Sequence, residues 1–147
     1  MILFEGYLQG VPVAKGRPRM GKFGMYTPTK TSKAEKDIRL QLAPKMPRIR
    51  YQGPVAVTTI FAMPIPSSWS KKKREEMLCK PHTQKPDMDN LQKLVYDAIN
   101  PIRVRKKGMK DMLVGGMIED DSQICKATSS KVWSDTPSTY LKVETIE

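Results

Sequence analysis

Leu91, Leu94, Val95, Ala98 and Ile99 recur at i, i+3, i+4, i+7 and i+8, so this stretch must coil into one helix with a single apolar stripe. At about 100° per residue, Asp89, Lys93 and Asp97 fall near 160°, 200° and 240° from Leu91, on the face opposite that stripe. The helix therefore lies on something apolar while holding a ridge of two carboxylates and a lysine away from it. The strongest strand signal is Gly53 to Met63. It is β-branched and apolar on both faces, which predicts a central position in a sheet. Pro64 and Pro66 end it.

The remaining segments fill in a small α/β domain. Residues 2–8 alternate and read as a first strand. From Val11 to Pro28, glycines and prolines alternate with Lys15, Arg17, Arg19 and Lys22, a composition that predicts a loop. Thr31 or Ser32 caps a helix running to about Leu42, which Pro44 and Pro47 stop. Ser70 caps a short helix over 71–78, in which Lys71 with Glu75 and Lys72 with Glu76 have the spacing of i, i+4 ion pairs. Residues 103–116 are basic and contain glycine, and no element is assigned to them. Two final strands are expected at 123–133 and 139–146, joined by the turn Ser134-Asp135-Thr136-Pro137-Ser138. No repeat is present. The expectation is one domain over 1–147, of α/β (α+β) class, with a small mixed β-sheet packed by helices.

Charge narrows the function. The net charge of +11 points to an anionic partner. It is also unevenly placed: residues 1–86 hold 17 basic and 5 acidic side chains, residues 87–147 hold 9 and 10. Such a chain grips a polyanion with one part and does something more specific with the other. Two cysteines, Cys79 and Cys125, and the single histidine, His82, cannot build a disulfide framework or a structural zinc site, and chemistry based on histidine pairs is excluded. No apolar run reaches the length of a membrane span and no leader pattern opens the chain, so a cytoplasmic protein with no membrane partner is expected.

Two acidic clusters carry the chemistry. Asp87 and Asp89 stand where an extended segment enters the helix, and Glu119-Asp120-Asp121 stands just before the strand at 123. Each has an ordinary explanation. Asp89 with Gln92 has the spacing of a capping box, Lys93 between Asp89 and Asp97 has that of an ion-pair ladder, and an acidic triplet suits a turn. Taken together, hard oxygen donors from two segments without histidine suit Mg²⁺, with Mn²⁺ as a substitute, completed by water and phosphate oxygens. The expected metal ligands are Asp87, Asp89, Asp121 and Asp120. Lys93 becomes a fixed cation beside a scissile phosphate, and phosphodiester hydrolysis is the matching reaction. Lys15, Arg17, Arg19, Lys22 and Lys85 are the candidate DNA contacts, cations on a flexible backbone that follows phosphates.

Lys85-Pro86-Asp87-Met88-Asp89-Asn90-Leu91-Gln92-Lys93 resembles the Asp-x-Asp-Asn-x-x-Lys signature of the RusA family of Holliday junction resolvases. Tyr96-Asp97-Ala98-Ile99-Asn100 resembles the helix end that follows it, and Asp120-Asp121-Ser122-Gln123-Ile124 a second Asp-Asp-x-Gln element. Lys15-Gly16-Arg17-Pro18-Arg19 and Tyr26-Thr27-Pro28 resemble an N-terminal segment common in phage members. The resemblance spans about residues 10–133. It implies an α/β fold, a homodimer, Mg²⁺ dependence and symmetric nicking of four-way DNA junctions, with catalytic Asp87, Asp89, Asp121 and Lys93. Asp120 is the adjacent acid, and a phage or prophage origin in a bacterial host follows. The stretch Pro101 to Met117 is longer than the compact family pattern. A dimer also follows from symmetry, since a four-way junction has a two-fold axis and needs two matched cuts.

A restriction-like nuclease needs an acid, any residue, then lysine on a strand after Asp87, and the chain has none. A His-Asn-His nuclease fails on the histidine count. The competing functions are a non-catalytic protein that binds branched DNA, in which the acids only cap and pair, and a nuclease acting mainly on flaps or forks.

Overall fold

The structure, a computed structural model, describes residues 1–147. Its main sheet has the order β1-β8-β4-β7, with β1 over Ile2–Gln9, β4 over Val55–Pro64, β7 over Ile124–Ser134 and β8 over Ser138–Thr145. β8 pairs antiparallel with both β1 and β4, and β4 pairs parallel with β7. β7 and β8 follow one another in the chain but sit on either side of β4. A parallel pair needs a long crossover, and the crossover from β4 to β7 carries α2 (Lys71–Met77), α3 (Met88–Ile99) and the hairpin of β5 (Ile102–Val104) and β6 (Met112–Val114). The segment read as unassigned thus forms a hairpin. These elements agree with the mixed sheet and helices expected from the sequence.

β4 is central, as its composition predicts, but only one of its faces is covered. Val55, Val57, Thr59, Phe61 and Met63 are buried, whereas Ala56, Thr58 and Ala62 are half-buried and Ile60 is exposed. The core lies on the buried face, where Leu91, Val95 and Ile99 of α3 and Leu42 of α1 (Thr29–Leu42) meet Val57, Phe61, Leu141 and Val143. All five residues of the α3 stripe are buried.

Three local expectations change. α1 begins at Thr29 with Pro28, which has no polar side-chain atom, at the cap position, and the Thr31 hydroxyl inside its first turn accepts a hydrogen bond from the Gly16 amide at 2.9 Å. A Cβ on Gly16 would stand 2.9 Å from that oxygen, so only glycine fits there. Within the expected loop, β2 (Arg19–Gly21) and β3 (Gly24–Tyr26) form a hairpin whose turn is released by Gly24 at φ +114°. On α2, Ser70 caps as expected, accepting from the Lys73 amide at 3.2 Å, but neither lysine–glutamate pair forms. Exposed pairs of long side chains gain too little to be held in one geometry. Lys73 instead lies 4.3 Å from the centre of the Trp69 ring.

Leu91 is 1% exposed and stands at the centre of the α3–sheet contact. Leu91→Ala is expected to lower unfolding free energy by about 2–5 kcal/mol, read from urea denaturation; a loss under 1 kcal/mol would show that α3 does not anchor the core.

Candidate nucleic-acid cleavage site

The entrance of α3 presents its acids outward because the core leaves them no other face. Asp87 occupies the N-cap position, yet its carboxylate caps nothing and accepts a hydrogen bond from Lys85 Nζ at 2.9 Å. That bond, with the lysine charge, holds the Asp87 carboxyl below its ordinary range. Asp89 is exposed on the first turn and joins none of the ion pairs. The expected box between Asp89 and Gln92 is not made, since Gln92 Nε2 donates to Ser129 Oγ on β7 at 2.7 Å, and Ser129 in turn meets Thr59 Oγ1 of β4 at 2.5 Å. Capping therefore accounts for neither acid.

Lys93 joins α3 to the second acidic segment. Its Nζ lies 3.1 Å from Asp121 Oδ2 and 3.3 Å from Asp97 Oδ1. The hydrogen bond to Asp121 leads the causes that raise its pKa, so Lys93 stays cationic at any ordinary pH. Asp97 also holds Lys15 at 2.9 Å, Lys15 holds Glu35 at 3.1 Å, and Glu35 holds Arg39 at 2.9 Å. Burial works against the Lys15 charge, but bonds to Asp97 and Glu35 outweigh it and raise its pKa. Arg39 closes the path by donating to the Asp97 carbonyl at 2.6 Å. Alternating charges thus run without a break from α1 through the N-terminal loop and α3 to Asp121.

The second segment is a 3-10 turn, Asp121–Gln123, and Asp120 is its cap. Asp120 Oδ2 accepts from the Ser122 amide at 3.0 Å, and the Ser122 side chain first, then that amide, lowers its pKa. The Gln123 side chain does four things at once. Its oxygen accepts from the Glu119 and Asp120 amides at 2.7 and 3.0 Å, and its nitrogen donates to the Tyr51 and Gly53 carbonyls, each at 2.8 Å. The turn is thereby fixed to the chain leading into β4. The Asp120-to-Gln123 spacing is that of a capping box, a signal present in the sequence and not used there.

Of the expected DNA contacts, Arg17, Arg19, Lys22 and Lys85 are exposed, with Lys22 Nζ 5.8 Å from the centre of the Phe23 ring. Lys15 is different, being spent on Asp97 and Glu35. Sequence reasoning did not single out Glu35, Arg39 or Gln92, whose partners lie on other elements.

The structure joins Asp121 to α3 through Lys93 and leaves Asp87 and Asp89 further up the helix, about 9 and 6 Å along its axis from Lys93. No three carboxylate, imidazole or thiolate groups gather closely enough to hold an ion by themselves. The donor set nevertheless fits Mg²⁺, which is commonly held by one or two carboxylates and completes its shell with water and substrate phosphate. The pair at the helix entrance offers that kind of half-site.

A cationic flank leading to exposed carboxylates and a braced lysine is an arrangement suited to a phosphodiester backbone. The family model described as "Endodeoxyribonuclease RusA" matches residues 9–106 and 104–144, and the chain belongs to that family of endodeoxyribonucleases that resolve Holliday junctions. The two matched stretches overlap at 104–106, within the β5–β6 hairpin segment. A Bacillus subtilis (strain 168) protein, "Uncharacterized protein YqaN", is 32% identical over 146 residues, covering 93% of this chain and 92% of the relative.

Gln123→Ala strips two amides and two carbonyls of their partner. The expected cost is about 1–3 kcal/mol, with faster hydrogen exchange at the Glu119 and Asp120 amides measured by NMR; unchanged exchange there would mean the turn is held by something else.

Proposed function

We propose that this chain resolves four-way DNA junctions as a Mg²⁺-dependent homodimer, one cleavage centre per subunit, nicking two symmetry-related strands. The observation that carries the reading is the 3.1 Å contact of Lys93 with Asp121, which ties the second acidic segment to the helix whose entrance carries Asp87 and Asp89, in a chain of an endodeoxyribonuclease family. Arg17, Arg19, Lys22 and Lys85 bind the strand through its phosphates and bring it across the α3 entrance. Lys93, braced by Asp97 and Asp121, faces the scissile phosphate as a fixed cation and opposes the charge that grows on it in the transition state. Asp87 and Asp89 are the ligands for the divalent ion, Asp121 is the third catalytic carboxylate, and Asp120 keeps the turn that presents it. When bound, Mg²⁺ or Mn²⁺ polarises the phosphate and lowers the pKa of a water. Lys85 leaves Asp87 for the DNA backbone as the strand arrives, which frees a carboxylate already ionised in the unbound protein.

No helix of the chain is long and apolar enough to cross a membrane. We place the protein in the cytoplasm of a bacterial host, encoded by a phage or prophage, on the strength of the N-terminal segment resembling phage members.

One observation favours a second reading. Asp87, Asp97 and Asp121 are all paired with lysines and Asp120 is a cap, as a protein that binds branched DNA without cutting it would arrange them. The two readings part on a synthetic four-way junction. Paired nicks with Mg²⁺ and none with EDTA are expected, and Asp89→Asn should slow cutting by about a hundredfold or more while binding persists or tightens, because a negative charge near phosphate is gone. Equal binding with no product in either condition would establish the binder, and cutting of flaps in preference to junctions would reassign the substrate.

A further inference from the structure

Between the N-terminal loop and the segment leading into α3 lies an open cavity of about 730 Å³. That volume is within the range of sites that hold a small organic ligand, about 300–1,000 Å³. Arg17, Arg19, Lys30 and Lys85 stand on its wall and no carboxylate does, so its field draws an anion. His82 stands on the same wall and is of another kind. Only 8% exposed, it has a buried Nδ1 that finds no hydrogen-bond partner in the chain. Burial, and then the charge of Lys131, push its pKa down, so the ring is neutral at pH 7. A neutral imidazole suits an uncharged polar ring better than a phosphate. The imidazole is also held in place. Its centre is 4.1 Å from that of Trp133 at 49°, and Trp133 packs on Trp69 at 4.7 Å.

We propose that this cavity receives a single nucleotide drawn out of the stack at the branch point, its phosphate on Arg17, Arg19, Lys30 and Lys85 and its base against His82. Lys85 is both wall of the cavity and partner of Asp87, so the nucleotide received lies beside the phosphate to be cut. A base at a branch is less firmly stacked than one within duplex and costs less to extract. A protein that reads this nucleotide selects junctions over linear duplex without reading a long sequence. The inference rests on the proposed junction substrate and goes further by giving the structure selection a place.

The test is a four-way junction carrying 2-aminopurine at the branch nucleotides, titrated with full-length protein in EDTA so that no strand is cut. A rise in 2-aminopurine fluorescence is expected on binding, absent when the probe lies mid-arm. His82→Phe keeps an aromatic ring on Trp133 and removes the ring nitrogens; it should lose most of that rise and bind the junction about tenfold more weakly. Arg17→Ala with Arg19→Ala, at exposed positions where folding is not at stake, should weaken binding and lower the rise together. No rise with the native protein, or an equal rise in both variants, overturns the cavity assignment. If the native protein still nicks junctions with Mg²⁺ in that case, only this inference falls; if it neither binds nor nicks them, the proposed function falls with it.

Discussion

The site depends on a single lysine held between two carboxylates. Lys93 comes from α3, Asp97 from the next turn of that helix, and Asp121 from the far end of the crossover, so one ammonium group ties the middle of a helix to the turn that launches β7. The rest of the charge path keeps the lysine from drifting. Arg39 of α1 holds Glu35, Glu35 holds Lys15, and Lys15 holds the other oxygen of Asp97. These groups are partly buried, with Glu35 and Asp97 side chains 16% and 20% exposed, and salt screens such pairs less than it screens surface pairs. A cation fixed in this way needs no rearrangement when charge develops on a nearby phosphate, which is the condition for electrostatic catalysis.

The fold exists to bring that lysine and the acids to one side. The core takes the apolar stripe of α3, and once Leu91, Leu94, Val95, Ala98 and Ile99 are buried, helical geometry leaves Asp89, Lys93 and Asp97 facing away from the sheet. The parallel pairing of β4 with β7 then forces the long crossover on which α2, α3 and the β5–β6 hairpin ride. Gln123 fastens the acidic turn to the residues just before β4, and Gln92 fastens α3 to β7. Two glutamines thus tie the two acidic segments to the parallel β4–β7 pair.

Local periodicity made α3 and the position of β4 legible, because burial of a 3.6-residue stripe and of a β-branched run follows from the chain itself. The residue types of the candidate site were singled out by spacing and by the resemblance to the RusA family. What the sequence hid are contacts between distant elements. Capping rules made Asp89 a partner of Gln92, but a serine on β7, 37 residues away, takes that side chain. The helix-cap rule gave Thr31 a role that Gly16 claims instead. The same limit applies to Lys15, whose place among glycines and arginines suggested phosphate while Glu35 and Asp97 stood in other segments. For β4, apolar residues on both faces marked a central strand, and α1 and α3 cover only one of those faces.

The central claim is that Lys93 and Asp121 act as one unit in phosphodiester cleavage. Single-turnover cleavage of a four-way junction by Lys93→Met, by Asp121→Asn and by the protein carrying both changes measures their coupling most directly. Each single change should slow the cut severely, and the double change should cost little more than the worse of the two. Losses that multiply in the double variant, or a Lys93→Met protein that cuts at the native rate, would contradict the account.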